Sequence, residues 1–297
     1  MIGVFDSGIG GLTVMRELLR ELPECGFVYL GDTARVPYGP KGPETIRRYS
    51  REGAELLLTR GAKLLVVACN TMSAVAAEDL RAAFPNIPIV EVVTPAVAAA
   101  VAATRSGRIG VIGTRATIAS GVYEREIRSR GTVTVTMPVT LSGDVERQQR
   151  AVTMQRSPKR ASLPSPDALE VFKQACPLLV PLVEEGWLDH AVTRTVVGEY
   201  LAPLHAAQVD TLILGCTHYP LLEPLIAAAM GEGVTIVNPA RAVAREVRDR
   251  LERDTALASA CRGTSRGFHF TDTTPHTTRL ASEWLGIPVT LERVAVP

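Results

Sequence analysis

Lysine, aromatic residues and long apolar runs are all scarce in this chain of 297 residues. Phe, Trp and Tyr make up 5% of the sequence, and lysine occurs only at positions 41, 63, 159 and 173. Those lysines fall in a Pro-rich loop, before a predicted strand, and in or beside a predicted insertion, so a Schiff base with pyridoxal phosphate is not expected. The longest Ala/Val stretch, residues 96–103, is far shorter than the roughly 20 residues of a membrane-spanning helix.

The five cysteines form no C-x-x-C pair and no metal-ligand spacing. Together with their odd number, this argues for reduced thiols rather than a disulfide framework, and no metal is expected. The 32 basic and 31 acidic residues nearly cancel, without a long basic stripe. Nucleic acid and membrane are therefore not the expected partners. The first predicted strand starts at Ile2, so we expect no signal peptide and a cytoplasmic protein.

Strand and helix patterns alternate along the chain. Apolar runs predict strands at residues 2–5, 27–30, 64–68, 87–93, 109–112, 268–271 and 287–291. Amphipathic patterns predict helices at residues 12–21, 43–60, 73–83, 116–130, 242–251 and 277–285. This alternating order is typical of parallel sheets with right-handed crossovers, so we predict an α/β fold. The last two strands, with their helix, could complete the sheet of either half.

The sequence contains a weak internal repeat, which is called the echo below. Residues 2–8 resemble residues 109–115, and each stretch opens a half that later delivers a strand ending in cysteine. The second half is longer, and its excess falls in residues 132–170, where periodicity is poor and Ser-Pro pairs recur. We therefore predict a flexible insertion there. Within it, residues 169–172 are expected to supply a strand.

Two cysteines lie at the ends of buried apolar runs. In LLVVACNT, Cys69 is followed by Asn70 and Thr71, and in TLILGCTH, Cys216 is followed by Thr217. Such runs are typical of central strands in parallel sheets, and ligands bind outside the carboxyl ends of those strands. A single free cysteine is more often a small core residue than a catalyst. Two at matching points of related halves suggest a reaction that needs one acid and one base of the same kind.

Polar residues complete the candidate site. Asp6, in the stretch DSGIGG, could orient an ammonium group or a nearby thiol. His218 and the acids Glu184 and Glu185 could shift a thiol proton. The short hydrogen-bonding side chains that follow each cysteine suit a carboxylate. A loop dense in Gly and Pro, residues 31–40, is either a rigid turn or a cover over a ligand.

The Gly-rich turn after the first strand has a second interpretation. Together with Asp32, which follows the second strand, it could form a dinucleotide site. The glycine pattern is G-x-G-G rather than G-x-G-x-x-G, which disfavours that interpretation. A helix N-terminus that binds a carboxylate or phosphate is the favoured interpretation of this turn.

Several stretches resemble the aspartate/glutamate racemase family, and within it the cofactor-independent glutamate racemases. They cover most of residues 1–130 and 174–250, and they read FDSGIGGLTVMREL, YLGDTARVPYGPKGPETI, VVACNTMSA, RIGVIGTRATIASGVYE, ACPLLVPLVEEGW and DTLILGCTHYPLL. The resemblance implies two similar α/β domains, each a mainly parallel sheet flanked by helices, with the active site in the cleft between them. The first domain would hold residues 1–95 and 242–297, and the second would hold residues 96–241.

The resemblance also implies a reaction and the residues that perform it. Cys69 and Cys216 would interconvert L- and D-glutamate without a cofactor, supplying D-glutamate for peptidoglycan synthesis. Asp6, Glu184 and His218 match the residues that assist the two thiols. The residues that match substrate contacts are Asp6, Ser7, Tyr38, Gly39, Asn70, Thr71, Thr117, Thr217 and His218. The assembly implied is a homodimer.

Three alternatives remain open. The same machinery could racemise aspartate or a related amino acid. The chain could be a thiol redox protein, which the lack of C-x-x-C disfavours, or a non-catalytic two-lobed binding protein, which would not need matched thiols. One departure from the family is Met72, which occupies a position where a small residue is common and is expected to narrow that side of the pocket.

Overall fold

The computed structural model describes residues 1–135 and 168–296, which form two parallel β-sheets flanked by helices. The strands are β1 Ile2–Asp6, β2 Phe27–Gly31, β3 Leu64–Val67, β4 Ile89–Glu91, β5 Arg108–Gly113, β6 Thr132–Val135, β7 Ala168–Ala175, β8 Thr211–Gly215, β9 Thr235–Val237, β10 Arg266–Phe270 and β11 Glu292–Arg293. The helices are α1 Leu12–Glu21, α2 Pro43–Thr59, α3 Asn70–Ala83, α4 Val93–Ala103, α5 Arg115–Ser120, α6 Val122–Arg128, α7 Leu179–Glu184, α8 Ala191–Ala206, α9 Glu223–Met230, α10 Pro239–Arg253, α11 Thr255–Cys261 and α12 Pro275–Leu285. The predicted α/β fold is confirmed.

The first sheet has the strand order β11-β10-β2-β1-β3-β4, and all of its pairings are parallel. β1, β2 and β3 are buried along their whole length. Helices cover both faces of such a sheet, which explains why these strands are apolar runs rather than alternating patterns. β10 and β11 lie on the β2 side, so the last two strands complete this sheet and not the second one.

The second sheet has the order β6-β7-β5-β8-β9, again with parallel pairings. β5 lies between β7 and β8 in the same way that β1 lies between β2 and β3. β3 and β8, which deliver the two cysteines, are therefore each paired with the strand that opens their half. The echo in the sequence corresponds to a repeat of topology.

Helices between the sheets join them into one core. α1 packs against α10 and α12, and α4 packs against both α10 and β8. The apolar face of α1 is completely buried at Leu12, Met15 and Leu18. A single hydrophobic cluster includes Ile2 of the first sheet and Val111 of the second. No helix of the described residues is both long enough and apolar enough to cross a membrane.

Two departures from the predicted elements have local causes. The helix predicted at residues 116–130 is divided into α5 and α6 by Gly121, whose φ of +64° favours glycine. The strand predicted at residues 287–291 is wrong, because pairing with β10 begins only at Glu292. Pro288 has no N–H to donate to a ladder, which disfavours a strand through that stretch.

The ends of the predicted insertion, residues 132–170, belong to strands. β6 and β7 pair with each other there, and the strand expected at residues 169–172 is confirmed as part of β7. Residues 136–167 lie outside the described residues. The division of the chain into domains stays a prediction.

Candidate active site

The carboxyl ends of the two sheets open onto a cavity of about 920 Å³. It lies where β1, β3, β5 and β8 end, which is the usual ligand position in open α/β sheets. All of the residues expected to act in catalysis or to contact substrate line it, namely Asp6, Ser7, Tyr38, Gly39, Cys69, Asn70, Thr71, Thr117, Glu184, Cys216, Thr217 and His218. The structure therefore brings together both thiols and every side chain that the family resemblance implied would assist them.

Cys69 lies at the N-cap position of α3, just after β3. Its side chain is buried, and its Sγ lies 3.4 Å from Oγ of Ser7. Burial and the negative charge of Asp6 raise the pKa of Cys69 to about 12, against the opposing effect of the Ser7 hydrogen bond. At neutral pH, Cys69 is therefore a thiol that can donate a proton.

Asp6 is the last residue of β1 and is buried at the cavity wall. Its Oδ2 accepts the N–H of Gly8 at 3.0 Å, whereas its Oδ1 has no hydrogen-bond partner within the described part of the chain. Burial raises the pKa of Asp6, and the charge of His218 opposes that shift. Leaving a buried oxygen without a donor is costly. Oδ1 is thus available to accept a hydrogen bond from a ligand.

Cys216 follows β8 and faces a histidine rather than an acid. Its Sγ lies 3.8 Å from Nδ1 of His218, whose Nε2 lies 2.9 Å from Oε1 of Glu184. Burial lowers the pKa of His218, but the hydrogen bonds to Cys216 and Glu184 outweigh it and raise that pKa to about 10. Burial likewise raises the pKa of Glu184, and its hydrogen bond to His218 reverses that effect, so the pKa is lowered. The imidazole is therefore protonated at neutral pH and places a positive charge beside the Cys216 sulfur.

Hydrogen-bond donors surround the thiols. The Tyr123 hydroxyl donates to Oδ1 of Asn70 at 2.7 Å, which leaves the Asn70 NH₂ as a donor. Thr71 follows in the first turn of α3, where backbone N–H groups favour an anion. Across the cavity, Oγ1 of Thr114 accepts the N–H of Thr117 at 3.3 Å, and the two hydroxyls lie 3.0 Å apart. This arrangement suits a ligand with carboxylate groups.

Tyr38 lines the cavity, but its hydroxyl is already engaged. That hydroxyl donates to Oδ2 of Asp32, which also accepts from Nε of Arg35 at 2.7 Å. The other oxygen of Asp32 accepts from Thr271 at 2.8 Å. Asp32 is thus occupied in fixing the loop around Tyr38, which argues against the dinucleotide interpretation. Among residues 1–135 and 168–296, no three His, Cys, Asp or Glu side chains gather as metal ligands would.

Each sheet with its helices is called a unit, the first unit carrying Cys69 and the second carrying Cys216, and the two units come into close contact beside the cavity. Thr13 of α1 donates its hydroxyl to the carbonyl of Thr217 at 2.7 Å. A Cβ on Gly10 would lie 2.2 Å from Oγ1 of Thr217 and 2.7 Å from the ring of His218. Only glycine allows this approach, so the turn after β1 supports the Cys216 side of the cavity as well as its own.

Sequence reasoning missed part of the cavity wall. The missed polar residues are Thr33, Thr114, Arg115, Asp272, Thr274, His276 and Thr277. Most belong to the C-terminal segment, which matched the family only loosely and offered no sequence signal. The expectation that Met72 narrows the pocket is wrong, because its side chain is buried in a cluster with Val67 and does not line the cavity.

Two parallel α/β units bring a pair of buried cysteines to one shared cavity. This arrangement defines a class of α/β proteins with a paired-cysteine site between two sheets. The chain belongs to the Asp/Glu/Hydantoin racemase family, whose model matches residues 2–176. Among curated proteins, the glutamate racemase of Geobacter metallireducens is 42% identical over 285 residues, which are 96% of this chain and 92% of that protein.

Solved structures agree with this assignment. A glutamate racemase isoform from Bacillus anthracis superposes with a TM-score of 0.81 at 35% identity, covering 100% of this chain and 98% of that one. The glutamate racemase from Francisella tularensis, in complex with D-glutamate, superposes with a TM-score of 0.80 at 30% identity, covering 99% and 97%. A protein of this fold therefore binds a small amino acid.

Proposed function

We propose that this chain is a glutamate racemase that interconverts L- and D-glutamate without a cofactor. The observation that carries the proposal is the pair of buried cysteines, Cys69 and Cys216, on matching strands of two sheets that share one cavity. Inversion at an α-carbon requires removal of a proton from one face and delivery of a proton to the other. Thiols from two different sheets can serve both faces, whereas a single base would tend to return the proton to the face it left.

The surroundings of the thiols support one resting arrangement. Cys69 is the thiol that donates a proton, and we assign the part of the base to Cys216, whose Sγ lies 3.8 Å from Nδ1 of the His218 imidazolium. A thiolate takes the α-proton, forming an S–H bond while the C–H bond breaks and its electron pair stays on the α-carbon. The opposite thiol then gives its proton to that carbon and becomes a thiolate. Each turnover exchanges the two states, and the reverse reaction starts from the exchanged state.

The cavity offers partners for the charged groups of glutamate. The free Oδ1 of Asp6 would accept a hydrogen bond from the α-ammonium. The NH₂ of Asn70 and the hydroxyls of Ser7, Thr71 and Thr217 would donate to the α-carboxylate. Donors fixed in advance stabilise the negative charge that builds on this carboxylate as the proton leaves. They therefore address the weak acidity of the α-hydrogen, which is the main obstacle to the reaction.

The direct test is an assay of the purified chain with L-glutamate and no added cofactor, followed by chiral chromatography. We expect D-glutamate to form, and the product made in heavy water to carry deuterium at the α-carbon. L-Aspartate, assayed in parallel, tests the rival substrate. Absence of D-glutamate, or faster turnover of aspartate, would contradict the proposal.

The proposal extends to the setting of the enzyme. We propose a homodimer of two-domain chains, residues 1–95 with 242–297 and residues 96–241, that works in the cytoplasm and supplies peptidoglycan synthesis. Two catalytic thiols must stay reduced, which fits a reducing compartment. Sedimentation should give twice the chain mass of 31.8 kDa, and a monomer at working concentration would contradict the dimer.

A further inference from the structure

His218 is in contact with an indole ring from the other unit. Trp284 lies in α12, the helix that connects β10 to β11 of the first sheet along the chain. His218 follows β8 of the second sheet. The ring centroids are 5.5 Å apart and the planes meet at 82°, an edge-to-face arrangement. Trp284 is 4% exposed, and Arg16 of α1 donates to its carbonyl at 3.3 Å. The indole is therefore a buried ring beside the imidazole, on a residue whose main chain is held in place by Arg16.

The other contacts of His218 do not hold its ring firmly. The Nδ1 contact to the Cys216 sulfur is 3.8 Å long, and hydrogen bonds to sulfur are weak. Nε2 binds Glu184, whose side chain is 43% exposed and free to follow a turning ring. Gly10 packs against the Nδ1 and Cε1 edge, where a Cβ would come within 2.7 Å. An ordered ring needs a rigid neighbour, and Trp284 supplies a buried side chain for that role, whereas Gly10 supplies only backbone.

We propose that Trp284 is a positioning residue that keeps Nδ1 of His218 directed at the sulfur of Cys216. This inference rests on the proposed two-thiol function and deepens it. Rotation of the imidazole about its Cβ–Cγ bond would separate Nδ1 from the sulfur and break the chain of contacts from Glu184 through His218 to Cys216. The C-terminal helix of the first unit thereby controls one of the two proton-transfer groups, although it supplies neither thiol.

Loss of the indole should disable one thiol and spare the other. In Trp284→Leu we expect kcat/KM to fall about tenfold or more, because a misdirected base loses its proton-transfer geometry. The primary isotope effect with α-deuterated glutamate should increase only in the direction in which Cys216 takes the proton. Trp284→Phe keeps an aromatic wall and should recover most of the rate.

The chain offers a matched control, since each of its two tryptophans lies beside a histidine. Trp187 is 43% exposed, lies 4.3 Å from the ring of His190 and does not line the cavity. Trp187→Leu should leave both the rate and the isotope effects unchanged. If Trp284→Leu slows both directions with equal isotope effects, or if Trp284→Phe recovers nothing, then Trp284 is only a core residue and the proposal is wrong.

A second measurement keeps Trp284 in place and does not depend on folding of the leucine variant. In Trp187→Phe, Trp284 is the sole tryptophan, and a protonated imidazole against an indole quenches its fluorescence. Adding His218→Gln at pH 8 should therefore increase the emission, and unchanged emission would overturn the proposed contact. Because fluorescence does not require turnover, an inactive wild-type protein would contradict the proposed function while this measurement still tests the contact.

Discussion

The two thiols occupy matching places in the fold but opposite electrostatic surroundings. Cys69 and Cys216 each follow a strand that pairs with the opening strand of its own half. Beside Cys69 lies the buried carboxylate of Asp6, which adds to the effect of burial in raising the pKa of that thiol. Beside Cys216 lies His218, which remains protonated because its hydrogen bonds outweigh the effect of burial and raise its pKa to about 10.

This difference teaches that a repeat of topology does not require a repeat of charge. A proton-exchange reaction with one donor and one acceptor needs its two thiols in different states at every moment. The repeated strands supply symmetry of position, since each thiol reaches the cavity from its own sheet. The neighbouring residues supply the asymmetry, since a carboxylate lies near Cys69 and a protonated imidazole lies beside Cys216.

Removal of either thiol should have the largest effect. Cys69→Ala and Cys216→Ala should each lower racemisation by about a thousandfold or more, because neither remaining thiol can both take and return a proton on opposite faces. Chiral chromatography of glutamate after long incubation measures this. Cys261→Ala, a buried cysteine away from the cavity, is the matched control and should remain active. Near-normal turnover by Cys69→Ala or Cys216→Ala would contradict the two-thiol mechanism.

The next largest effect is expected at His218. His218→Gln should lower kcat by about a hundredfold, since general acid–base groups contribute 10²–10⁴ in rate. Only the step that uses Cys216 should slow, so isotope effects in the two directions should become unequal. His190→Gln, at the surface, provides the control. Equal isotope effects in both directions would mean that His218 serves both thiols alike.

The raised pKa of His218 predicts that the free energy of unfolding depends on pH. A pKa raised from 6.5 to about 10 means that the folded protein holds this proton more tightly than the unfolded chain does. That contribution is complete below about pH 6.5 and disappears as the pH rises through about 10. The difference in Tm between wild type and His218→Gln should therefore narrow from pH 6.5 to pH 10. A difference in Tm that stays constant over this pH range would mean that the pKa of His218 is not raised.

Much of this site could be predicted because its chemistry follows directly after strands. Cys69 and Cys216 end apolar runs, and their polar neighbours follow within two residues. Parallel strands have all their carboxyl ends at one edge, so residues at those ends must meet. Asp6, at the end of β1, was found by the same logic. Local pattern and sheet geometry were sufficient for these residues.

The remainder depended on packing that no local pattern encodes. From α12, His276 reaches the cavity and Trp284 reaches the ring of His218, and the position of this helix follows from β10 joining the first sheet rather than the second. The sequence left that choice open. It also could not indicate that the Tyr38 hydroxyl is taken by Asp32, or that Met72 turns into the core. Side-chain direction and hydrogen-bond partners are properties of the assembled tertiary structure.

Asp6 should affect the two thiols differently, and this effect is expected to be smaller than those above. Asp6→Asn removes a negative charge that raises the pKa of Cys69, so the pKa should fall and the thiolate fraction at pH 8 should increase. Alkylation of Cys69, followed by mass spectrometry, should accelerate about tenfold, with little change at Cys216. Unchanged labelling of Cys69 in Asp6→Asn would contradict the effect of Asp6 on that thiol.

The contrast extends to the rim of the cavity, where the Cys216 unit contributes Arg115 and the Cys69 unit contributes Asp272. Within the described ranges, Arg115 is the one arginine or lysine that lines the cavity, and glutamate arrives there with a net negative charge. Arg115→Gln should raise KM roughly two- to fivefold with little change in kcat, because an exposed charge attracts the substrate without touching the reacting atoms. Arg245→Gln, at an exposed position of α10 away from the cavity, should leave KM unchanged. Added salt should raise the KM of the wild type more than that of Arg115→Gln, and a fall in kcat instead would assign Arg115 to the chemical step.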